Sequence, residues 1–224
     1  GISKKIQFQV SALKECGLDV FLCYMMIDEN GYQRRVCNNV VIEDYGNGAF
    51  AKLLKWVCFK SLTKFIFENQ IEFIYIRSFY NTNPPLLKML RGLKKEGIKV
   101  VMELPTYPYD VEVKSPSLSI SNRIIFLLNR LYRNRLKNYL TKIVTFSDYK
   151  EIHGVKTINI SNGIDFERIK LKTSKSAQPD KLKLLGVAEV HYWHGYDRLI
   201  RGMAEYYNNP QRRVDVFFDL VGGG

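Results

Sequence analysis

Residues 182–207 read LKLLGVAEVHYWHGYDRLIRGMAEYY, and the order of residue types in that stretch decides how the chain is put together. Residues 182–188 form a short apolar run of strand length. Residues 189–194 are polar and aromatic, and Gly195 then opens a helix. A loop that leaves the carboxyl end of a strand and enters a helix N-terminus is where α/β proteins bind phosphate. Free N–H groups and the helix dipole both favour an anion there. His194 and Arg198 fall in the first turn, four residues apart on one face. An arginine so placed can fork onto phosphate oxygens. The plainer alternative is an ordinary strand-to-helix turn, with a surface histidine and Arg198 salt-bridged to Asp197 or Glu205.

Working outward, strands and helices alternate. Ile2, Ile6, Val10 and Leu13 recur at helical spacing, with Gly17 as the stop. Strands are expected over 20–26 and 36–42, with a turn at Asn30-Gly31 between them. A long helix is expected over 49–69, a strand over 71–76, and a helix over 84–96 with proline at its start and Gly97 at its end. Further strands are expected over 98–102, 143–146 and 155–160, with a helix over 120–140 between the first two. Short apolar strands alternating with helices predict an α/β fold, a Rossmann-like parallel sheet covered on both faces. Ligands of such sheets sit beyond the carboxyl ends of the strands. Arg77, Glu103 to Asp110 and Ser147 all follow strands at that edge.

The polar stretch 170–180 is the best linker. The expected organisation is a first Rossmann-like domain over 1–165, a linker over 166–181, and the opening of a second Rossmann-like domain over 182–224. A glycine loop at Gly222-Gly223-Gly224 should feed a further helix. Gly1 begins with no strand before the first helix. Both points predict a sequence truncated at each end, lacking its first strand and most of the second domain.

The 224 residues, 46% hydrophobic and 25% charged, have a globular composition. No apolar run reaches the roughly 18 residues that span a bilayer, and no signal-peptide pattern is read, so a cytoplasmic location is expected. Cys16, Cys23, Cys37 and Cys58 show no CxxC pair and no metal-ligand spacing. They are read as reduced, partly buried thiols, and no metal is expected. The net charge of +12 calls for a polyanionic partner or surface. Nucleic acid, an anionic membrane and a nucleotide diphosphate are the candidates. Between Lys114 and Lys142 the basic residues Arg123, Arg130, Arg133, Arg135 and Lys137 occur with no acidic one. They interleave with Ile124, Ile125, Leu127, Leu128, Leu131, Leu136 and Leu140. A helix of that pattern can lie on anionic lipid at the inner face of the plasma membrane. It can equally be a buried helix with a solvated basic face.

Three segments, taken in order, carry a resemblance. They are Glu103-Leu104-Pro105-Thr106-Tyr107-Pro108-Tyr109-Asp110, then Ile160-Ser161-Asn162-Gly163-Ile164-Asp165, then the loop and helix from His191 to Ile200. Together they resemble the family 4 glycosyltransferases of the GT-B fold, in particular the bacterial enzymes of capsular and surface polysaccharide synthesis. The start, Gly1-Ile2-Ser3-Lys4-Lys5 followed by Gln9, Ala12-Leu13 and Gly17-Leu18-Asp19-Val20, resembles that family's first glycine loop and helix. The resemblance implies a retaining hexosyltransferase. It would use a nucleotide-diphosphate sugar as co-substrate, no cofactor, and a growing glycan or lipid-linked acceptor.

The resemblance also implies roles for residues. His194, Gly195, Arg198, Gly1 and Ile2 would meet the donor diphosphate. The family's usual Lys-Gly pair is replaced here by His194-Gly195, and Ala188 stands near its usual arginine, so Arg198 becomes the candidate cation. Arg77, Glu103, Thr106, Tyr107, Tyr109 and Asp110 combine hydroxyls, carboxylates and flat rings, as a sugar acceptor site needs. Their alternative is a rigid proline turn with packed tyrosines, and Glu103 as the cap of a helix. Asn162 and Gly163 would form a tight backbone at the interdomain cleft, with Gly163 there for structural reasons. The family's paired glutamates would lie beyond Gly224, so the catalytic residues are unassigned and the fragment alone is expected to be inactive. Two rivals remain. A basic nucleic-acid-binding α/β protein lacks the exposed aromatics and recognition motif of such modules. A dinucleotide-dependent oxidoreductase lacks GxGxxG after a strand.

Overall fold

The computed structural model of the chain describes residues 2–77, 81–108, 120–161, 163, 180–191 and 194–223. It divides into two compact units, Gly1–Asp165 and Phe166–Gly224, and it is α/β throughout.

The first unit opens with α1 (Ile2–Glu15) and then a three-stranded antiparallel meander, β1 (Cys23–Ile27), β2 (Gln33–Cys37) and β3 (Val40–Asp44). Next come α2 (Gly48–Val57), α3 (Lys60–Glu68), β4 (Phe73–Arg77), α4 (Pro84–Lys95) and β5 (Lys99–Leu104). After them run α5 (Ile120–Tyr132), a 3₁₀ segment Arg133–Asn138, β6 (Lys142–Thr145), β7 (Glu151–Ile152) and β8 (Val155–Asn159). The second sheet has the order β4-β5-β6-β8-β7. Its first four strands are parallel and β7 is antiparallel to β8. It is therefore a mixed, mostly parallel sheet.

The expectations for residues 20–69 need correction in two places. The apolar run over 36–42 is two strands rather than one. Asn38 and Asn39 take φ values of 45° and 68°, the left-handed pair that matches a two-residue hairpin to the twist of its strands. The chain reverses inside the run, so β1 to β3 form a sheet of their own. The helix over 49–69 is also broken, at Cys58, whose backbone is extended. Arg35 accounts for the break. Its guanidinium is buried and donates to the Cys58 carbonyl at 2.9 Å and the Lys55 carbonyl at 3.2 Å. A cation on the last carbonyls ends α2 where its dipole is negative. Glu43 balances the charge at 3.4 Å, the Tyr45 hydroxyl donates to Glu43 at 2.6 Å, and the rings of Tyr45 and Phe59 each lie 5.5 Å from the guanidinium.

The core lies between α4 and the parallel sheet. Asn83 caps α4 by accepting from the Leu86 N–H at 2.9 Å, and Pro84 stands at the first helical position. Leu86, Leu90 and Leu93 then fall on one face with Leu87 beside them. They bury against Val100, Met102, Leu104 and Ile143. Leu90 and Leu93 are fully buried, and each contributes about 2–3 kcal/mol of transfer free energy. The other face of β5 carries Val101 and Glu103, also buried, so helices cover this strand on both sides. The expected helix over 120–140 ends at Tyr132 and tightens into the 3₁₀ segment. No helix among the described residues is long and apolar enough to cross a membrane.

The second unit contains β9 (Lys181–Val187), α6 (Tyr196–Tyr207) and β10 (Asp215–Val221), with β10 parallel to β9. Parallel neighbours need a crossover, and α6 supplies it. Two tyrosines at the end of α6 bond to the first residues of β10. The Tyr207 hydroxyl accepts from the Val216 N–H at 2.9 Å and donates to the Val216 carbonyl at 2.7 Å. Tyr206 does the same to Val214 at 3.1 and 2.8 Å.

Arg35→Met should lower the stability of the first unit by about 3 kcal/mol, because Glu43 is left with a buried, uncompensated charge. Urea denaturation followed by circular dichroism measures it. Arg35→Lys should recover less than half, since a point charge cannot serve two carbonyls and a carboxylate at once.

Candidate functional site

The carboxyl edge of the parallel sheet is built on one register row. Arg77 at the end of β4 pairs with Glu103 in β5, and Glu103 with Val144 in β6. Glu103 is 0% exposed. A carboxyl so placed must find partners. The Tyr75 hydroxyl donates to its Oε2 at 2.6 Å, Arg77 Nη1 stands 3.6 Å from its Oε1, and Lys5 Nζ of α1 lies 4.0 Å from the same oxygen. Lys5 also sits 4.1 Å from the centre of the Phe146 ring. Glu103 thus holds Arg77 at the strand end and docks α1. It does not cap the helix that follows. Glu103 Oε1 and Arg77 Nε and Nη1 are buried and make no hydrogen bond. The tyrosine hydroxyl of Tyr75 has its pKa pushed up, first by burial and then by its bond to Glu103.

Beside this row lies a second polar group. The hydroxyls of Thr145 and Ser147 are 2.9 Å apart, and the Asn159 side-chain amide donates to the Ser147 carbonyl at 2.6 Å. Thr106 is exposed. Tyr107 packs edge-on against Tyr149 at 4.9 Å and His153 at 5.6 Å. Sequence reasoning missed Lys5, Tyr75, Tyr149 and His153. Tyr75 alone left a signal, since it shares a strand face with Arg77 at a spacing of two. Tyr109, Asp110, Asn162 and Gly1 lie outside the described residues. Ile2 is the first residue of α1. A Cβ at Gly163 would meet nothing within 4 Å. A surface depression lined by Ile66, Phe73, Gly97 and Lys99 lies at the opposite, amino edge of β4 and β5.

In the second unit Gly195 caps α6 with φ 68°, a left-handed conformation that glycine adopts without strain. A Cβ there would fall 2.6 Å from Arg198 Nη2 and 2.9 Å from its Nε, so the guanidinium folds back over the first turn. The Gly195 carbonyl accepts from the N–H groups of Arg198 and Leu199 at 3.0 and 3.2 Å. The earlier N–H groups, of Tyr196 and Asp197, are those a helix leaves without internal acceptors. Asp197 binds Arg201 at 2.6 Å, and among the described residues no ion pair engages Arg198. The expected alternative of an Asp197–Arg198 pair is therefore not what forms. His194 Nδ1 accepts from the His191 N–H at 3.2 Å. The loops after β9 and β10 are laced together, Ala188 N–H to the Val221 carbonyl at 3.1 Å and Val190 N–H to the Gly223 carbonyl at 2.8 Å. A Cβ at Gly222 (φ 154°) would come 1.8 Å from the Ala188 carbonyl oxygen, so only glycine fits. Among the described residues no group of three or more His, Cys, Asp or Glu is placed to hold a metal.

Compared with protein-family models, curated proteins and solved structures, the chain finds no match.

Tyr75→Phe should cost about 1–3 kcal/mol at neutral pH, because it leaves a buried carboxyl oxygen short of its donor. The tyrosine's pKa is raised in the folded state, so its share of stability is whole below the unfolded value of about 10 and is lost as pH rises beyond it. Tyr45 is raised likewise, by burial and then by Glu43. Urea midpoints should fall between about pH 9.5 and 11, and Tyr75→Phe should flatten that fall.

Proposed function

We propose that the chain is part of a retaining glycosyltransferase of the GT-B type, made of two Rossmann-like domains and related to family 4. It would move a hexose from a nucleotide-diphosphate sugar to a growing polysaccharide or lipid-linked glycan. The observation that carries this reading is Arg198. Its guanidinium is folded over the opening turn of α6, next to N–H groups without helical acceptors, and engages no carboxylate among the described residues. A cation and free N–H groups at one helix N-terminus suit a diphosphate, which carries growing charge as the glycosidic bond breaks. His194, at the same helix start, would stand beside the diphosphate.

The acceptor side would be the carboxyl edge of the first unit. Arg77, Thr106 and Tyr107 offer donors, a hydroxyl and a ring face to a sugar. Glu103 would act behind them, as the residue that positions Arg77.

The donor half is tested by titrating the chain with UDP-, GDP- and ADP-hexoses and with pyrophosphate in a calorimeter. The nucleotide sugars should bind through their diphosphates, with pyrophosphate competing. Arg198→Ala should weaken that binding about 10- to 100-fold, the worth of a charge-assisted contact, and Arg198→Lys should restore part of it. Unchanged affinity in Arg198→Ala would mean that another group holds the diphosphate. Binding of DNA with steep salt dependence, and of no nucleotide sugar, would favour the nucleic-acid reading.

The acceptor half implies a surface. Ile124, Leu127 and Leu131 are 55, 57 and 64% exposed along one stripe of α5, with Arg123 and Arg130 exposed beside them and Arg135 and Lys137 following. The opposite side of the helix carries Asn129, which is buried and accepts from the Thr82 N–H at 3.1 Å. An apolar stripe edged by cations suits an anionic lipid surface, where each basic residue adds about 1 kcal/mol. Sedimentation with phosphatidylglycerol vesicles should fall with salt and with the triple change of Arg130, Arg133 and Lys137 to Glu. Leu127→Glu with Leu131→Glu should abolish it even at low salt. Binding indifferent to both sets of changes refutes the lipid contact.

A further inference from the structure

The meander holds a pair of thiols that the proposed function does not use. Cys23 in β1 and Cys37 in β2 are register partners across the antiparallel ladder. The adjoining pair is the hydrogen-bonded one. The Asn38 N–H donates to the Leu22 carbonyl at 2.9 Å, and the Leu22 N–H donates to the Asn38 side-chain oxygen at 2.8 Å. Bonded and non-bonded pairs alternate along such a ladder, so Cys23 and Cys37 form a non-hydrogen-bonded pair. In that arrangement the Cα atoms stand about 4.5 Å apart and the side chains lean together on one face. That separation is within the range a disulfide requires. The two thiols are close enough for each to shift the other's ionisation. The other two cysteines are placed differently. The Cys58 thiol donates to Glu43 Oε1 at 3.2 Å, and Cys16 is exposed just beyond the end of α1.

We propose that Cys23 and Cys37 are an oxidation site, closing to a cross-strand disulfide on reaction with a low-molecular-weight disulfide such as oxidised glutathione. Cys23 is the exposed member and Cys37 the buried one. The Cys23 thiolate attacks one glutathione sulfur, the glutathione S–S bond breaks, and one glutathione leaves. The Cys37 sulfur then attacks Cys23 in the mixed disulfide, and the second glutathione leaves. The two protein thiols give up two electrons and two protons, and two glutathione thiols receive them. Although Cys23 as a residue is exposed, desolvation of its sulfur and then its neighbour Cys37 raise it, and desolvation raises Cys37, so the thiolate is scarce at neutral pH and the closure quickens in alkali. The bond closes a loop of about 15 residues around the turn at Asp28 to Gly31. On loop-closure grounds that makes opening of the β1–β2 pair about a hundredfold rarer. The inference is independent of the proposed transferase activity.

The experiment incubates the reduced native chain with oxidised glutathione at pH 7 and 8.5, followed by intact mass, peptide mapping and hydrogen exchange. The protein should lose the mass of two hydrogens, faster at the higher pH. The map should show Cys23 joined to Cys37, and β1 and β2 amides should exchange about a hundredfold more slowly. A variant with Cys16→Ser and Cys58→Ser should form the same link. Cys37→Ser in the Cys16→Ser, Cys58→Ser background should stop at one glutathione on Cys23. Stable glutathione adducts without an internal link in the native chain overturn the proposal. So does a link through Cys16 or Cys58, or a link that appears only in urea.

Discussion

One carboxyl in the middle of the first unit constrains what surrounds it. Strand β5 is buried on both faces, and every position in such a strand is ordinarily apolar. Glu103 breaks that rule at 0% exposure, which is tolerable only where hydrogen bonds and opposite charge meet it. Tyr75 and Arg77 therefore have to lie on the same face of β4, in register with it, and Lys5 has to arrive from above. Slipping β4 by one residue would turn Tyr75 and Arg77 into the leucine layer of α4 and leave Glu103 alone. The pairing of the two strands, the seat of α1 and the direction of Arg77 are thus one arrangement. It ends at the carboxyl edge of the sheet with polar atoms of Arg77 and Glu103 still unbonded.

The stretch from β4 to β6 is legible in the sequence because local signals and burial agree there. Apolar runs of strand length, a proline at the start of α4 and a glycine after its end all point the same way. The meander is legible only in outline. Gln33, Arg34 and Arg35 form a polar run that reads as solvent-facing, yet Gln33 and Arg35 are buried. The partners that make this possible lie about two dozen residues downstream, at Lys55 and Cys58. A helical pattern over 49–69 carries no mark of its interruption, because the interruption comes from another strand. Tertiary contact overrides local propensity at that point.

The candidate sites divide in the same way. Gly195 and Arg198 were readable because a helix start is a local event, and the glycine's left-handed backbone follows from its residue type. The cluster around Glu103 was readable in part. Arg77 and Glu103 end adjacent strands, and strand ends are visible. Tyr75, 28 positions from Glu103, and Lys5, still farther away, become its neighbours only when the sheet and α1 assemble. The tyrosines of the Pro105-to-Pro108 turn sit between the two expectations, since Tyr107 packs against Tyr149 and His153 and so is at once a packed ring and a ring at the site's rim.

The tyrosines that end α6 bear on how molecules of this protein behave toward one another. A parallel pair of strands leaves backbone donors and acceptors along its outer sides, and such a row recruits strands from other chains. On β10 the groups of Val214 and Val216 are already taken, each by one phenol acting as donor and acceptor together. The helix therefore does more than cross over. It covers the entry to that strand, at Val214 and Val216, without spending a charge or a proline on it. Beyond Val216 the strand has no such cover from α6 among the described residues, and its carboxyl end is tied to the loop after β9.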